Sequence, residues 1–307
     1  MRISSPDGKP MKLFAPQYYK KFKCIADRCT HSCCVGWEID VDSDTLERYG
    51  ALAGALGTRV RQSLEAGEDG VHFALRPDGR CPHLDDRGLC EIIKGAGEGY
   101  LCEICREHPR FYNVVGNRME CGIGASCQAA AALILHEPYA ETVCLGEEIC
   151  LENRDTCCEF DAISARNDLY CLLSDSRSPY AKRLELIRER FAVPAQIEGE
   201  AWRGMLEKLE YLDERHKALF LACGVETCEG HETVRERFLA YLVYRHASPA
   251  ECAREFGLAV GVALVLERLF AALIAHGLSP VEAAVTVSEE IEYSEDNTEA
   301  IRLALTM

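Results

Sequence analysis

The chain has 307 residues, 48% of them hydrophobic, and a formal net charge of −16. That much apolar sequence excludes a disordered chain, and the acidic balance argues against non-specific nucleic-acid binding, which needs a basic face. An acidic surface favours a basic substrate segment such as exposed lysines, although it also simply keeps a protein soluble.

In chain order, the part up to about residue 130 is irregular, rich in Gly, Pro, Cys and charged turns such as RPDGRCPHLDDRGLC. Val41 to Leu64 is helix-like, with Leu46, Tyr49, Leu52 and Leu56 at helical spacing and Asp42 or Ser43 as a cap. Leu89 to Ile104 reads as a short helix interrupted by GAGEG, and Val71 to Leu75 and Asn113 to Glu120 as strands of a small hairpin. From Ser126 the pattern is helical. SCQAAAALILHE comes first, then segments from Cys158 to Leu173, Tyr180 to Phe191, Trp202 to Ala222, Glu232 to His246, Pro249 to His276 and Pro280 to Glu292. Two of these open on Ser-Pro, a first-turn signal. The apolar run FGLAVGVALVLERLFAALIA is interrupted by Glu267 and Arg268 and reads as a buried helix rather than a membrane span. No βαβ alternation is visible. The expected fold is mainly α: a cysteine-rich, loop-rich, metal-pinned N-terminal part (1–130) packed on a C-terminal helical bundle (131–307), as two parts or as one continuous domain.

The chain has 18 cysteines, and all but Cys223, Cys228 and Cys252 lie at or before Cys171. Secreted disulfide scaffolds are small and follow a signal peptide, whereas MRISSPDGKPMKLF has no apolar h-region. The reading is therefore a cytoplasmic metal protein with no membrane partner. The cysteines fall into groups: Cys24-x4-Cys29-x3-Cys33-Cys34, then Cys81-Pro82 to Cys90, then Cys102-x2-Cys105, with Cys121 and Cys127 flanking a glycine-rich turn. Thiolates suit zinc or iron–sulfur, and close spacing lowers the entropy of assembling ligands. Irregular spacing favours a cubane cluster over zinc. Cys144, Cys150, Cys171, Cys223, Cys228 and Cys252 read as small core hydrophobes, as does the pair Cys157-Cys158. His31 and His83 are ligands or second donors, or simply solvated. Arg110, closing His108-Pro109-Arg110, either neutralises a cluster or a cofactor carboxylate or forms a plain salt bridge. In YLVYRHA (241–247) the aromatics read as core, which leaves Arg245 and His246 in need of partners. No catalytic residue can be named.

FKCIADRCTHSCCVGWEID (22–40), CPHLDDRGLCEI (81–92), LCEICREHPR (101–110), SCQAA (126–130) and YLVYRHA resemble the flagellin lysine-N-methylase family. The family pattern falls on Cys24, Cys29, Cys33, Cys34, Cys81, Cys90, Cys105 and Cys127, and Cys102 and Cys121 lie outside it. Gln128 stands where a Pro is usual and His108 where an aromatic is common. The resemblance implies S-adenosylmethionine-dependent methylation of flagellin lysines and a [4Fe-4S] cluster. It also implies kinship with small CxxCxxCC proteins taken to chelate zinc or iron. The competing reading is a non-catalytic iron–sulfur or zinc protein of redox or metal handling.

Overall fold

The computed structural model describes residues 10–67, 70–150, 160–224 and 230–307. The chain divides into two compact units, one made of Lys23–Arg110 and the other of Arg2–Phe22 with Phe111–Met307. The cysteine-rich stretch is thus inserted, in sequence, into the larger unit.

In the smaller unit, helices α1 (Ser43–Ala51) and α2 (Gly54–Gln62) are separate. Extended Leu52 and Ala53 break the single helix expected over 41–64. Strands β2 (Leu64–Ala66) and β3 (Val71–Phe73) pair antiparallel with each other, so the Val71 strand takes its partner from the segment just before it. Short helices α3 (Glu91–Ala96) and α4 (Glu103–Glu107) follow. A small core of Ile39, Val41, Tyr49, Val60, Phe73, Leu84 and Ile92 joins them, with buried Cys81 and Cys102.

The larger unit carries a four-stranded sheet in the order β4-β5-β1-β6, built from β1 (Pro10–Pro16), β4 (Arg110–Val115), β5 (Arg118–Ile123) and β6 (Thr142–Cys150). β1 runs parallel to β5 and antiparallel to β6. β1 and β6 carry mixed sequence without strict alternation, so the period-two signal misses them. Helices α5 (Gln128–His136), α6 (Ala162–Leu173), α7 (Tyr180–Arg190), α8 (Gly199–Lys208), α9 (Glu214–Ala222), α10 (Glu232–Leu242), α11 (Ala253–Ala275), α12 (Pro280–Val287) and α13 (Glu295–Thr306) complete it, so the fold is mainly α. The segment from Trp202 to Ala222 is two helices, because Leu209 leaves the helical conformation and Asp213 starts a new one as its N-cap.

α11 is the centre of the bundle. It contacts α9, α10, α12 and α13. By length and composition it could cross a membrane, but 83% of its most apolar window is buried inside the protein, which makes it a core helix. Its one buried acid, Glu267, is satisfied by Arg235 Nε at 2.6 Å. Gly257 sits where an added Cβ would lie 2.3 Å from Phe191 O, so the close approach of α11 to the end of α7 requires glycine.

Candidate functional site

The thiols of the smaller unit are set by backbone pairing between the cysteine motifs. Cys81 N donates to Cys34 O (2.8 Å) and Gly36 N to Gly79 O (2.9 Å), which ties the first motif to the second. The second motif closes on itself through a bridge between Leu84 and Cys90 and through Glu91 N donating to His83 O (2.8 Å). The third is held by Asp42. Besides capping α1 through Thr45 N, its carboxylate accepts from Glu103 N at 2.7 Å, which fixes the turn just after Cys102.

These ties bring Cys34, Cys81, Cys90, Cys102 and Cys105 into one core. Burial pushes the Cys81 thiol up to about 12 and also raises Cys90. A hydrogen bond to Cys102, then burial, raises Cys105, while the same bond lowers Cys102. A hydrogen bond from Cys33 lowers Cys34 to about 7 against the opposing effect of burial. Cys24 and Cys33 are exposed and Cys29 is half-buried, its thiol donating to His31 O at 2.8 Å. Cys127 belongs to the larger unit, where it is the N-cap of α5, and Cys121 is buried on β5. The described cysteines form no disulfide.

Among the described residues no three His, Cys, Asp or Glu side chains already stand as a metal cage. The donor chemistry of the five thiols nonetheless fits a soft metal. A buried thiol with a raised pKa becomes a ligand when a cation offsets the cost of its charge.

His83 is buried rather than solvated. Its Nε2 is 2.8 Å from Ser63 Oγ, its ring packs edge-on against Phe73, and burial lowers its pKa to about 4. A cleft of about 400 Å³ opens beside it, lined by Arg59, Gln62, Ser63, Arg76, Pro82 and Glu91. Trp37 Nε1 donates to Cys33 O (2.8 Å), and its ring lies 6.4 Å from that of His108. Arg110 is half-buried, with Nη1 donating to Arg106 O at 3.1 Å.

The larger unit holds a second polar constellation. After α10 and after α12 the backbone widens into π-helical turns, Val243–Ala247 and Ser288–Glu292. Ser248 N donates to Val243 O (3.3 Å) and Tyr293 N to Ser288 O (3.0 Å). Such turns frequently mark functional positions. Both turns feed one buried carboxylate, Glu292. It accepts from Tyr241 OH at 2.8 Å, lies 2.9 Å from His246 Nε2 and 3.3 Å from Arg245 Nη1, and is bonded by Ser288. Burial alone would raise its pKa, but Arg245, His246 and Ser288 outweigh that and hold it at about 2. Tyr241 OH also accepts from Ala125 N (3.0 Å) of the glycine-rich turn. Gly124 there lets Tyr293 and Arg245 approach, since a Cβ would meet the Tyr293 hydroxyl at 2.0 Å.

A second buried pair lies in the same unit. Arg166 Nη2 donates to Glu120 Oε1 at 2.9 Å and its Nη1 to Ser248 Oγ at 2.6 Å. Sequence reasoning asked for partners for Arg245 and His246 but missed Glu292, Ser288, Glu120 and Arg166. The available signal was isolated charge in apolar surroundings, as in RMECGI and VTVSEEIE.

Three curated proteins are similar to this chain. The flagellar biosynthetic protein FliU of Salmonella muenchen is 28% identical over 149 residues, 46% of this chain and 85% of that protein. Lysine-N-methylases of Salmonella typhimurium and Salmonella choleraesuis are each 26% identical over 174 residues, 53% of this chain. The chain is related to the lysine-N-methylases. The match takes in 42% of the length of each of these two lysine-N-methylases, so the chain spans less than half of them. No family model matches it, and no solved structure does.

Of the remaining cysteines, Cys223 is a buried core residue as expected. Cys144, Cys171 and Cys252 are exposed rather than buried, because each falls on the outward side of its element or in a turn. Cys157, Cys158 and Cys228 lie outside the described residues.

Proposed function

We propose that this chain is a protein-lysine N-methyltransferase that uses S-adenosylmethionine, acts on flagellin and carries a [4Fe-4S] cluster. The observation that carries the reading is the relationship to lysine-N-methylases, and the flagellar name of one relative supports the choice of substrate. Cys34, Cys81, Cys90, Cys102 and Cys105 are the residues that would hold the cluster, since they share one core. Its contribution is structural, turning metal–thiolate free energy into folding free energy for a unit whose own apolar core is small.

Methyl transfer needs a neutral lysine amine, a sulfonium methyl in line with it and little water. With the donor bound, the amine nitrogen would bond the methyl carbon as the carbon–sulfur bond breaks, S-adenosylhomocysteine would leave, and the nitrogen would give its proton to solvent or to a base. An unperturbed lysine titrates near about 10.4, so the site must desolvate it or offer a base. The donor supplies the activated methyl, and this chain supplies the enclosure.

The second reading, a metal protein without methylase activity, is favoured by the cysteine core alone. Anaerobic purification with iron, sulfide and zinc analysis, together with cofactor binding and methyl transfer to flagellin, separates the two. Iron and sulfide with labelled methyl on flagellin lysines is the expected result. Cluster without cofactor binding would establish the second reading, and zinc alone would remove the cluster.

A further inference from the structure

Arg245 is held along one edge and open along the other. Its Nη1 donates to Tyr241 OH at 3.0 Å and faces Glu292 at 3.3 Å. Its Nε and Nη2, the parallel N–H pair that grips a carboxylate side-on, have no hydrogen-bond partner among the described residues and are not fully enclosed. The side chain keeps 14% of its exposure. The rings of Phe111 and Tyr293 cover the guanidinium at 4.9 and 4.1 Å, and Asn113 Nδ2 holds the Arg245 carbonyl at 2.7 Å. The fork is therefore rigid before any ligand arrives, which lowers the ordering cost of binding. Nor is its charge spent entirely on Glu292, because Tyr241, His246 and Ser288 also bond that carboxylate.

We propose that the Nε/Nη2 edge of Arg245 seats the α-carboxylate of S-adenosylmethionine. The inference rests on the methyl-transfer reading and replaces Arg110 as the carboxylate contact. Two observations select this occupant over an acidic peptide segment. Only 14% of the Arg245 side chain is exposed, so the fork offers contact to a single carboxylate rather than to a run of acids. The protein carries a net charge of −16, which repels acidic peptides at long range. The methyl donor is a net cation whose single carboxylate needs one local, bidentate partner. Tyr293, 41% exposed beside the fork, offers an apolar face to the rest of the ligand.

The test is equilibrium dialysis of the full chain with S-adenosylmethionine and with its decarboxylated analogue. The wild-type protein should prefer the carboxylated form, and Arg245→Gln should lose about 10- to 100-fold in affinity for it, as expected for a charged hydrogen-bonded pair. The variant should bind the decarboxylated analogue as the wild-type does. Arg245→Lys should restore only part of the preference, and Arg110→Ala none of the loss. On the wild-type chain, phenylglyoxal labelling of Arg245, read by mass spectrometry, should be slowed by S-adenosylmethionine and not by the analogue. This second measurement decides the matter if the variants do not fold. A preference that survives Arg245→Gln, a loss that follows Arg110→Ala instead, or labelling that the ligand does not slow overturns the assignment while leaving methyl transfer intact. A wild-type chain that binds no S-adenosylmethionine overturns both.

Discussion

Glu120 and Glu292 are the residues on which the interior of the larger unit turns. Glu120 is fully buried against Arg166, itself 2% exposed. Removing one partner of such a pair strands the other charge, so Glu120→Gln should destabilise the protein by about 3–5 kcal/mol in chemical denaturation. Arg118 also bonds Glu120, so replacing Glu120 and Arg166 together by apolar residues should recover only part of that loss. Glu292 makes a different prediction, about pH. Its folded pKa, about 2, lies below the ordinary 4.5. Its contribution is therefore complete above pH 4.5 and is lost as pH falls through 2, amounting to roughly 3 kcal/mol at most. Acid unfolding of Glu292→Gln should be flatter across that window than that of the wild-type chain. At this scale the sequence showed which thiols are near one another along the chain but not which turn inward. That choice depends on pairings such as Val35 with Arg80 and Leu84 with Cys90, which are non-local. Cys102, outside the family pattern, is nearly fully buried, whereas Cys24, inside it, is exposed.

At the scale of elements, the helices from α5 to α12 were legible from apolar periodicity, whereas α13 was not read, and of the two Ser-Pro starts only Ser279-Pro280 opens a helix, α11 beginning later at Ala253. Ser279 forms a full capping box with Glu282 ahead of α12. The π-helical turns were not legible. A widened turn changes the register of one face only, and the carboxylate that both turns serve, Glu292, is far along the chain from Tyr241, Arg245 and His246. The break between α8 and α9 was hidden for the same reason: Leu212 N donates to Glu290, far along the chain, at 2.6 Å. Helix packing leads to a prediction against local propensity. An alanine at Gly257 would favour an isolated helix by about 1 kcal/mol, but its Cβ meets the Phe191 carbonyl, which is backbone and yields little. Gly257→Ala should therefore lower stability by about 1–3 kcal/mol, as overpacking does, and thermal melting gives the sign directly.

At the scale of the molecule, the larger unit is discontinuous in sequence, with β1 lying between β5 and β6. Excising residues 23–110 and bridging Phe22 to Phe111 with a short Gly/Ser linker should leave a cooperatively folding helical protein, since that unit has its own core. Deleting the first 22 residues should abolish that transition, because β5 and β6 would each lose their shared partner. Circular dichroism with thermal melting on the two variants checks both outcomes. Hydrophobic patterning alone could not show this arrangement, because β1 meets its parallel neighbour only across the whole cysteine-rich stretch.

The insertion also sets an order of events during synthesis. β1 leaves the ribosome early and must wait until Met119, its register partner on β5 opposite Leu13, has been made. Until then it is an unpaired strand edge, the form of chain most exposed to wrong pairing. Closing that gap through a floppy chain costs loop entropy; on the proposal that the cysteine core holds a cluster, an intervening segment gathered around it would span a shorter distance. Under that same proposal, iron supply would govern the yield of the larger unit as well, and iron starvation would accumulate misfolded chain rather than inactive apoprotein.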